Sequence, residues 1–378
     1  MNVYILTLPI GTNYGEVMQA YALRKSVEQM GHNAITIRAV QNDTPFILKI
    51  IHWFGVVRAN LIYGKNLYHA LPEERCKISY HNLETFIDKY IKTTNFIRIH
   101  NDPQKLSDLP ADIFVVGSDQ VWRPGRISWK TYDAYFLGFL KSGIKRISYA
   151  ASFGHDNVKL PPYAKRKYAA LLKKFSFVSV REYSGVEICR REFGVDAKVV
   201  LDPTMLLPRT DYDEIADSYS SSTSEKPYCF EYVLDKTQFK DSVVNAVSQN
   251  LKVPRLSILP KGNISDSTSK AEDCVLPPVE EWLNGIRNAK FVVTDSFHGT
   301  VFSILFHTPF CVLGNKRRGA TRIKSILGMF GLESRFVDSA EQNVIESVVN
   351  AEIDWQKVDS ILAEKREMSL TLLQNALG

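Results

Sequence analysis

The residue with the clearest capacity for chemistry is His298. Histidine is the side chain whose unperturbed pKa lies nearest neutrality, so it can both give and take a proton. The apolar run at residues 291–294 predicts a buried parallel strand, and Val301, Ile304 and Leu305 recur at helical spacing after it. We therefore place His298 where a strand's carboxyl end meets a helix's amino end, a position that favours anionic ligands.

The residues of this turn also have structural interpretations. His298 can cap the helix or bond to a carbonyl group instead of reacting. Asp295 and Ser296 have side chains that typically cap helix amino ends, and Asp295 is also a candidate to accept a proton. The turn is thus predicted as a site, with helix capping as the alternative.

Arg181 directly follows the apolar strand predicted at residues 177–180. A guanidinium group there can grip a carboxylate or a phosphate with two hydrogen bonds, although an ion pair with Glu182 is the alternative. Basic loops later in the chain are usually solvated, but one or two of their members can hold a phosphate. These residues are Lys261, Lys316, Arg317, Arg318 and Arg322.

Polar residues near the amino-terminal strands provide the other side of the predicted site. Asn13 and Gly15 follow the first strand and can let backbone amides approach a ligand closely, although an ordinary turn has the same composition. Ser118 and Asp119 come at the end of another buried strand. Asp119 can act as a base, bond to a sugar hydroxyl or cap a helix.

The elements that position these groups alternate between buried strands and helices. Open parallel sheets collect the carboxyl ends of their strands on one edge, where such folds bind ligands. A chain of 378 residues is too long for one simple core. We predict an α/β fold with two Rossmann-like domains facing a cleft, at residues 1–205 and 206–340, and C-terminal helices at residues 341–378 that brace the domains.

Composition and short motifs exclude several kinds of site. The net charge of +6 and the pI of about 8.9 suit an anionic substrate or a membrane surface without requiring nucleic acid. The scattered cysteines argue against disulfides and zinc, and no HExxH, P-loop, EF-hand or CxxC pattern occurs. Gly11 and Gly15 are wrongly spaced for a dinucleotide-binding loop. We therefore expect no metal, no cofactor and no nucleic-acid partner.

An apolar stretch at residues 46–63 lies in a predicted insertion at residues 44–72. Charged residues interrupt it, whereas a spanning helix needs about 20 mostly apolar residues. We favour a packing or lid-like helix, with a helix on the membrane surface as the alternative. The amino terminus is typical of a first strand rather than a signal peptide, so we expect a cytoplasmic protein, with the inner face of the membrane as a candidate location.

Six motifs in order along the chain resemble those of the polysaccharide pyruvyl transferase family. The resemblance covers approximately residues 3–335. Any one of these motifs is weak evidence for the family, but six motifs in the same order are specific. The motifs are NYGEVMQAYAL (13–23), VGSDQVW (116–122), SYAASFG (148–154), SVRE (179–182), LDPT (201–204) and TDSFHG (294–299).

The resemblance implies a GT-B-like arrangement and a transferase of bacterial exopolysaccharide or capsule biosynthesis. Members transfer a pyruvyl group from phosphoenolpyruvate to two hydroxyls of a free or lipid-linked saccharide acceptor, forming a cyclic ketal. By motif position, the resemblance implies catalysis by His298 and donor binding by Arg181. We also predict Ser118, Ser296 and Gly299 as candidate substrate contacts. Two other classes stay open, namely a glycosyltransferase with a nucleotide-sugar donor and a non-catalytic binding module.

One position departs from the family pattern. Many members have an arginine just before the Leu-His pair of the last motif, where this chain has Ser296. Part of the grip on the donor must then come from elsewhere, and we nominate Arg322 or Arg317.

Overall fold

The computed structural model describes residues 1–40, 72–99, 103–125, 129–219, 226–264, 269–315 and 320–378, with Phe54, Arg58 and Asp266. Apart from Phe54 and Arg58, the apolar stretch 46–63 lies outside the described residues, and so does the basic loop 316–318. Among the described helices, none combines the length and the apolar character needed to cross a membrane.

The strands are β1 (Asn2–Leu6), β2 (Asn33–Thr36), β3 (Ala39–Val40), β4 (Ile97–Arg98), β5 (Ile113–Val116), β6 (Lys145–Ser148), β7 (Ser179–Val180), β8 (Lys198–Val199), β9 (Cys229–Tyr232), β10 (Arg255–Leu256), β11 (Phe291–Thr294), β12 (Phe310–Leu313) and β13 (Phe336–Val337). The α-helices are α1 (Tyr14–Gln29), α2 (Pro72–Ser79), α3 (His81–Tyr90), α4 (Pro103–Ser107), α5 (Trp129–Tyr132), α6 (Pro162–Leu172), α7 (Tyr183–Ile188), α8 (Arg209–Asp217), α9 (Gln238–Leu251), α10 (Val279–Arg287), α11 (Phe297–Leu305), α12 (Ala320–Phe330), α13 (Gln342–Asn350) and α14 (Trp355–Leu377).

Two parallel sheets organise these elements. The N-terminal sheet has the strand order β2-β1-β5-β6, and the C-terminal sheet has the order β10-β9-β11-β12-β13. The central strands β5 and β11 are wholly buried, and all their residues except Thr294 are apolar, as expected when helices cover both faces. We call the parts built on these sheets the N-terminal and C-terminal domains. The predicted boundary at residue 205 stays a prediction.

The predicted strand at residues 291–294 is confirmed as β11. The helix expected from the sequence near residues 80–90 is confirmed as α3, and Tyr80 separates it from the preceding helix α2. The C-terminal domain contacts the chain next to this break. The carbonyl of Ser79 accepts a hydrogen bond from the backbone N–H of Leu276 at 2.8 Å.

The two domains share one apolar core at the level of α1 and α11. A single cluster of buried residues includes Val17 of α1 and Phe302 of α11. The ring of Tyr14 stacks on Trp282 of α10 with centroids 5.1 Å apart, and its hydroxyl donates to the carbonyl of Pro277 at 2.9 Å. These contacts hold the first turn of α1 close to the amino end of α11.

The last helix, α14, contacts both domains. The hydroxyl of Ser369 accepts a hydrogen bond from the backbone N–H of Leu201 at 3.0 Å. Near its other end, Asp359 pairs with His307, which follows α11, at 2.7 Å. In contrast, α13 packs against α9 of the C-terminal domain. The bracing role predicted for residues 341–378 as a whole stays a prediction.

Candidate active site

The amino end of α11 places His298 between the two domains. Ser296 is the N-cap of this helix, and its hydroxyl accepts a hydrogen bond from the backbone N–H of Gly299 at 3.3 Å. The side chain of His298 is only 10% exposed, and its Nε2 atom has no hydrogen-bond partner among the described residues. Nε2 lies 3.6 Å from Oδ2 of Asp202, so this ring faces a carboxylate of the N-terminal domain.

The other nitrogen of the ring, Nδ1, lies against Gly15 of α1. A Cβ atom built on Gly15 would be 2.6 Å from Cγ of His298 and closer still to Nδ1. Asn13 caps α1, because its Oδ1 atom accepts a hydrogen bond from the backbone N–H of Glu16 at 2.9 Å. The motif around Asn13 and Gly15 therefore meets the motif around His298 directly, and the ring can approach α1 this closely because Gly15 has no side chain.

Asp202 is the partner that holds this arrangement from the N-terminal domain. Its buried Oδ2 accepts a hydrogen bond from Nη1 of Arg181 at 2.6 Å, and its Oδ1 accepts bonds from the N–H and hydroxyl of Thr204 at 3.1 and 2.6 Å. Burial alone would raise the pKa of the Asp202 carboxyl. The nearby charges of His298 and Arg181 and the hydrogen bond from the Thr204 hydroxyl outweigh this and hold that pKa well below its usual range.

Arg181 is surrounded by carboxylates rather than left open to the cleft. Its guanidinium group contacts Asp202 at 2.6 Å, Glu182 at 3.2 Å and Asp119 at 3.4 Å, and it lies over the ring of Phe297 at 4.3 Å. Although burial opposes its charge, the three carboxylates raise the pKa of Arg181 above its usual value. From the sequence, we expect Arg181 to bind either an anionic ligand or Glu182. In the structure, its anionic partners are the carboxylates of the protein itself. Donor binding by Arg181 stays a prediction.

Arg322 approaches the same cluster from α12. Its Nη1 atom lies 3.5 Å from Oδ1 of Asp119. Its guanidinium group lies over the ring of Phe297 at 5.8 Å, the same ring that Arg181 covers. Arg322 is also buried. Asp119 therefore bridges two guanidinium groups, one from each domain, beside the candidate cavity.

A cavity of about 540 Å³, including its open mouth, lies between the domains. It is lined by groups from α1, from the loop after β5 and from the amino ends of α11 and α12. The lining residues are Asn13, Glu16, Asp119, Gln120, Tyr232, Leu234, Asp295, Ser296, Phe297, His298, Arg322 and Ile323. Six of the residues predicted from the sequence are thus brought together, namely Asn13, Asp119, Asp295, Ser296, His298 and Arg322.

Asp295 has the environment of a structural residue. Its carboxylate accepts hydrogen bonds from the backbone N–H groups of Leu234 and Asp235 at 2.7 and 3.2 Å. The ammonium group of Lys240 donates to it at 2.6 Å, and the amide of Asn315 donates at 2.8 Å. These contacts tie the end of β9 to the end of β11. Asp295 was a candidate to accept a proton, but in the structure both of its carboxylate oxygens bind groups of the protein.

The other predicted residues have different surroundings. The hydroxyl of Ser118 is buried and donates to the carbonyl of Ala150 at 3.3 Å. A Cβ atom on Gly299 would collide with the hydroxyl of Thr294, so this glycine is required for packing. Lys261 is exposed and is not one of the residues that line the cavity. Arg317 lies outside the described residues.

Two residues at the site, Asp202 and Glu16, were not predicted as site residues from the sequence. Asp202 follows the strand β8, and its position at a strand end was the available signal, but nothing in the sequence showed that it faces His298. Glu16 lies in the first turn of α1, where an acidic residue usually has a helix-stabilising role. Only the packing of α1 on α11 shows that Glu16 lines the cavity.

Comparison with solved structures identifies the architecture. The complex of S. aureus MnaA with UDP superposes with a TM-score of 0.53 at 12% identity, over 96% of this chain and 90% of that chain. A putative UDP-N-acetylglucosamine 2-epimerase from Listeria monocytogenes gives a TM-score of 0.52 at 10% identity, over the same shares. The predicted GT-B-like pair of Rossmann-like domains is therefore confirmed.

Comparison of the sequence with known proteins addresses the family. No curated protein matches the chain. The family model described as polysaccharide pyruvyl transferase matches residues 13–317, a region that includes the capping turn of α1, the Arg181–Asp202 pair and the turn of His298. The family predicted from the six motifs is confirmed, and the chain belongs to the polysaccharide pyruvyl transferase family.

Proposed function

We propose that this protein transfers a pyruvyl group from phosphoenolpyruvate to two hydroxyls of a saccharide and forms a cyclic pyruvate ketal. The observation that carries the proposal is the setting of His298. Its Nε2 atom faces the Asp202 carboxylate at 3.6 Å, and its Nδ1 atom lies in the space left by Gly15. This arrangement supports an imidazole that is oriented at one nitrogen and can exchange a proton at the other.

In the proposed reaction, Nδ1 of protonated His298 gives its proton to the methylene carbon of phosphoenolpyruvate. The double bond breaks, a methyl group forms, and positive charge develops at the neighbouring carbon. The first sugar hydroxyl adds there through its oxygen and loses its proton. The bond to the phosphate oxygen then breaks, and the second hydroxyl adds to the same carbon. One of the two hydroxyl protons restores His298 and the other leaves with phosphate, so the atoms and charges balance.

The charges around the cavity suit this sequence. The amino end of α11 and the guanidinium group of Arg322 favour the anionic groups of the donor. Asp202 offers a charge partner to the ring whenever it is protonated, and burial keeps this pairing away from competing water. Ser296, which stands where many family members have an arginine, caps the helix α11 and supplies no positive charge to the donor.

Direct measurement of donor and product tests the proposal. Calorimetry should show binding of phosphoenolpyruvate, and a panel of saccharides should trigger phosphate release with a ketal methyl signal in the proton spectrum of the product. His298→Ala should lower turnover by about 10²-fold or more, because a positioned acid contributes about that much. His81→Ala is the matched control, since His81 is exposed at the start of α3.

Three outcomes would overturn the proposal. One is His298→Ala with turnover like that of the wild type. Another is binding of nucleotide sugars without binding of phosphoenolpyruvate, which would identify a glycosyltransferase. The third is donor binding with no turnover on any saccharide, which would identify a non-catalytic binding module.

A further inference from the structure

The net positive charge of this protein is concentrated in one short segment. Residues 159–174 contain six of the 47 lysines and arginines and no aspartate or glutamate, so this segment alone has the net charge of +6 that the whole chain has. The rest of the chain has 41 basic and 41 acidic residues and is balanced. Charges of one sign gathered at one place on a surface create a local potential that attracts a partner of the opposite sign.

Most of this segment is the helix α6, which presents its charges along one face. Ala164, Tyr168 and Leu172 are buried and hold the opposite face on the N-terminal domain. The exposed positions recur at intervals of three and four residues, as expected for one side of a helix. They are Tyr163, Arg166, Lys167 and Ala170, followed directly after the helix by Lys173 and Lys174.

Two of the six cations have partners on neighbouring elements. Lys165 pairs with Glu192 at 3.4 Å, and Lys167 pairs with Asp133. The other four are exposed, and no described carboxylate pairs with them. We call these four residues the basic stripe: Lys159, Arg166, Lys173 and Lys174.

The acidic residues beside α6 do not neutralise the basic stripe. The segment Cys189–Phe193 packs against α6 and adds two arginines. The carboxylates that pair with cations of α6 and of this segment are equal in number to those cations. The four carboxylates are Asp133, Glu187, Glu192 and Asp196, and the four cations are Lys165, Lys167, Arg190 and Arg191. The charge of the basic stripe is therefore available to a partner outside the chain.

The helix α6 begins at the edge of the N-terminal sheet that borders the candidate cavity. It follows β6, which is parallel to β5, and the loop after β5 lines the cavity with Asp119 and Gln120. The loop between β6 and α6 also contacts the C-terminal domain, because the hydroxyl of Thr321 donates to Asp156 at 2.7 Å. Thr321 directly precedes Arg322, which lines the cavity. The basic stripe therefore starts near the cavity and runs away from it along the N-terminal domain.

We infer that the basic stripe docks this protein on the surface of a bilayer that contains anionic lipids. Its charges lie on the outward side of a helix, a convex surface that a plane of headgroups can cover. Tyr163, at the start of the same helix, is 62% exposed, and tyrosine is typical of the membrane–water interface. Each cation near an anionic bilayer strengthens binding roughly fivefold.

This docking does not depend on the proposed function. It brings the edge of the sheet that borders the cavity close to the headgroups. The consequence that a lipid-linked saccharide would reach the cavity from this surface does rest on the proposed function.

Co-sedimentation of the full-length protein with vesicles tests the inference. At low salt, the wild type should bind vesicles of phosphatidylglycerol and phosphatidylcholine in equal parts, but not vesicles of phosphatidylcholine alone. The variant Lys159→Gln/Arg166→Gln/Lys173→Gln/Lys174→Gln should unfold at the wild-type temperature and bind the mixed vesicles about 10²-fold more weakly or worse. Arg166→Gln alone, a change at one exposed position, should lose roughly fivefold. Salt at about 0.5 M should release the wild type, because it screens these charges.

The matched control removes four exposed lysines that lie outside the basic stripe, in the variant Lys252→Gln/Lys270→Gln/Lys290→Gln/Lys357→Gln. Both fourfold variants have a net charge of +2, so a difference between them reports the position of the charges rather than their number. The control should bind the mixed vesicles within a factor of three of the wild type.

Four outcomes would overturn the docking surface while leaving the proposed function intact. They are a wild type that binds no vesicles, equal binding to neutral and anionic vesicles, equal binding by the two fourfold variants, and tighter binding of the wild type to polygalacturonate than to the mixed vesicles at the same concentration of anionic groups. The last would assign the basic stripe to an acidic polysaccharide instead.

Discussion

His298 of α11 occupies the space that a side chain on Gly15 of α1 would fill, because a Cβ atom there would lie 2.6 Å from Cγ of the imidazole ring. Real Cβ atoms essentially never approach another atom so closely. The two residues come from different domains and are separated by most of the chain. The packing of one domain on the other therefore depends on a missing side chain at the place where the proposed proton donor lies.

Gly15→Ala should abolish most activity while preserving the fold. Alanine favours a helix over glycine by about 1 kcal/mol, so α1 itself has no reason to unfold. The added methyl group must displace the ring of His298, and misplacement of a catalytic group by about 1 Å can cost roughly 10²-fold in rate. Steady-state turnover together with the unfolding temperature measures both effects.

Gly328→Ala is the control for this prediction. Gly328 lies in α12, and the nearest atom that its Cβ would meet is 3.6 Å away, an ordinary contact. Gly328→Ala should leave turnover unchanged. If Gly15→Ala were as active as this control, the contact between Gly15 and His298 would have no role in catalysis.

The sequence predicted individual elements better than it predicted the relations between them. The strand at residues 291–294 and the position of His298 at a helix start follow from local apolar patterns, which the structure confirms. That Asp202 faces His298 depends on how two domains pack, and no local pattern encodes this. The same holds for Arg181, whose position at a strand end was visible but whose three carboxylate partners come from separate loops.

Asp202 should make stability depend on pH in the acid range. Its folded-state pKa is depressed below the unfolded value of about 3.8, so its contribution is fully present above that value and is lost as the pH falls through the folded-state pKa. Asp202→Asn removes this contribution, and breaking a buried ion pair costs about 3 kcal/mol or more. Urea unfolding from pH 7 to pH 2 should show the wild type and Asp202→Asn far apart at neutral pH and converging below pH 4.

A constant difference between the two proteins over this whole range would contradict the prediction, because it would mean that the charge of Asp202 does not contribute to stability. Asp196→Asn is a suitable control, since Asp196 lies just before β8 with a side chain that is 93% exposed. Its acid unfolding should follow that of the wild type.

Replacing Arg181 should destabilise the protein more than it weakens donor binding. Arg181→Met would leave the buried carboxylates of Asp119, Glu182 and Asp202 without their common cation. Removal of one partner from a buried charge cluster costs about 3–5 kcal/mol, because the remaining charges stay desolvated. Urea unfolding of Arg181→Met measures this loss, and Arg190→Met, at an arginine that is 63% exposed, should unfold like the wild type.

Calorimetric titration of Arg181→Met with phosphoenolpyruvate, at a temperature where it is folded, separates the two roles of this arginine. The structural role predicts that the dissociation constant changes little. A variant with wild-type stability and a strongly weakened donor would instead support direct binding of the donor by Arg181.

Asp295→Asn should reduce stability without altering the pH dependence of the reaction. The four partners of Asp295, namely Leu234, Asp235, Lys240 and Asn315, are all hydrogen-bond donors. Asparagine replaces one acceptor oxygen by an NH₂ group, which is itself a donor, so at least one of these bonds must be lost. The buried ammonium group of Lys240 would also lose its partner, at a cost of about 3 kcal/mol. Because both oxygens of Asp295 bind groups of the protein, the limbs of the pH–rate profile of Asp295→Asn should stay where the wild type has them. Asp241→Asn, at an aspartate of α9 that is 57% exposed, is the control for the loss of a charge. A profile that lost its rising limb in Asp295→Asn but kept it in Asp241→Asn would assign the base to Asp295 instead.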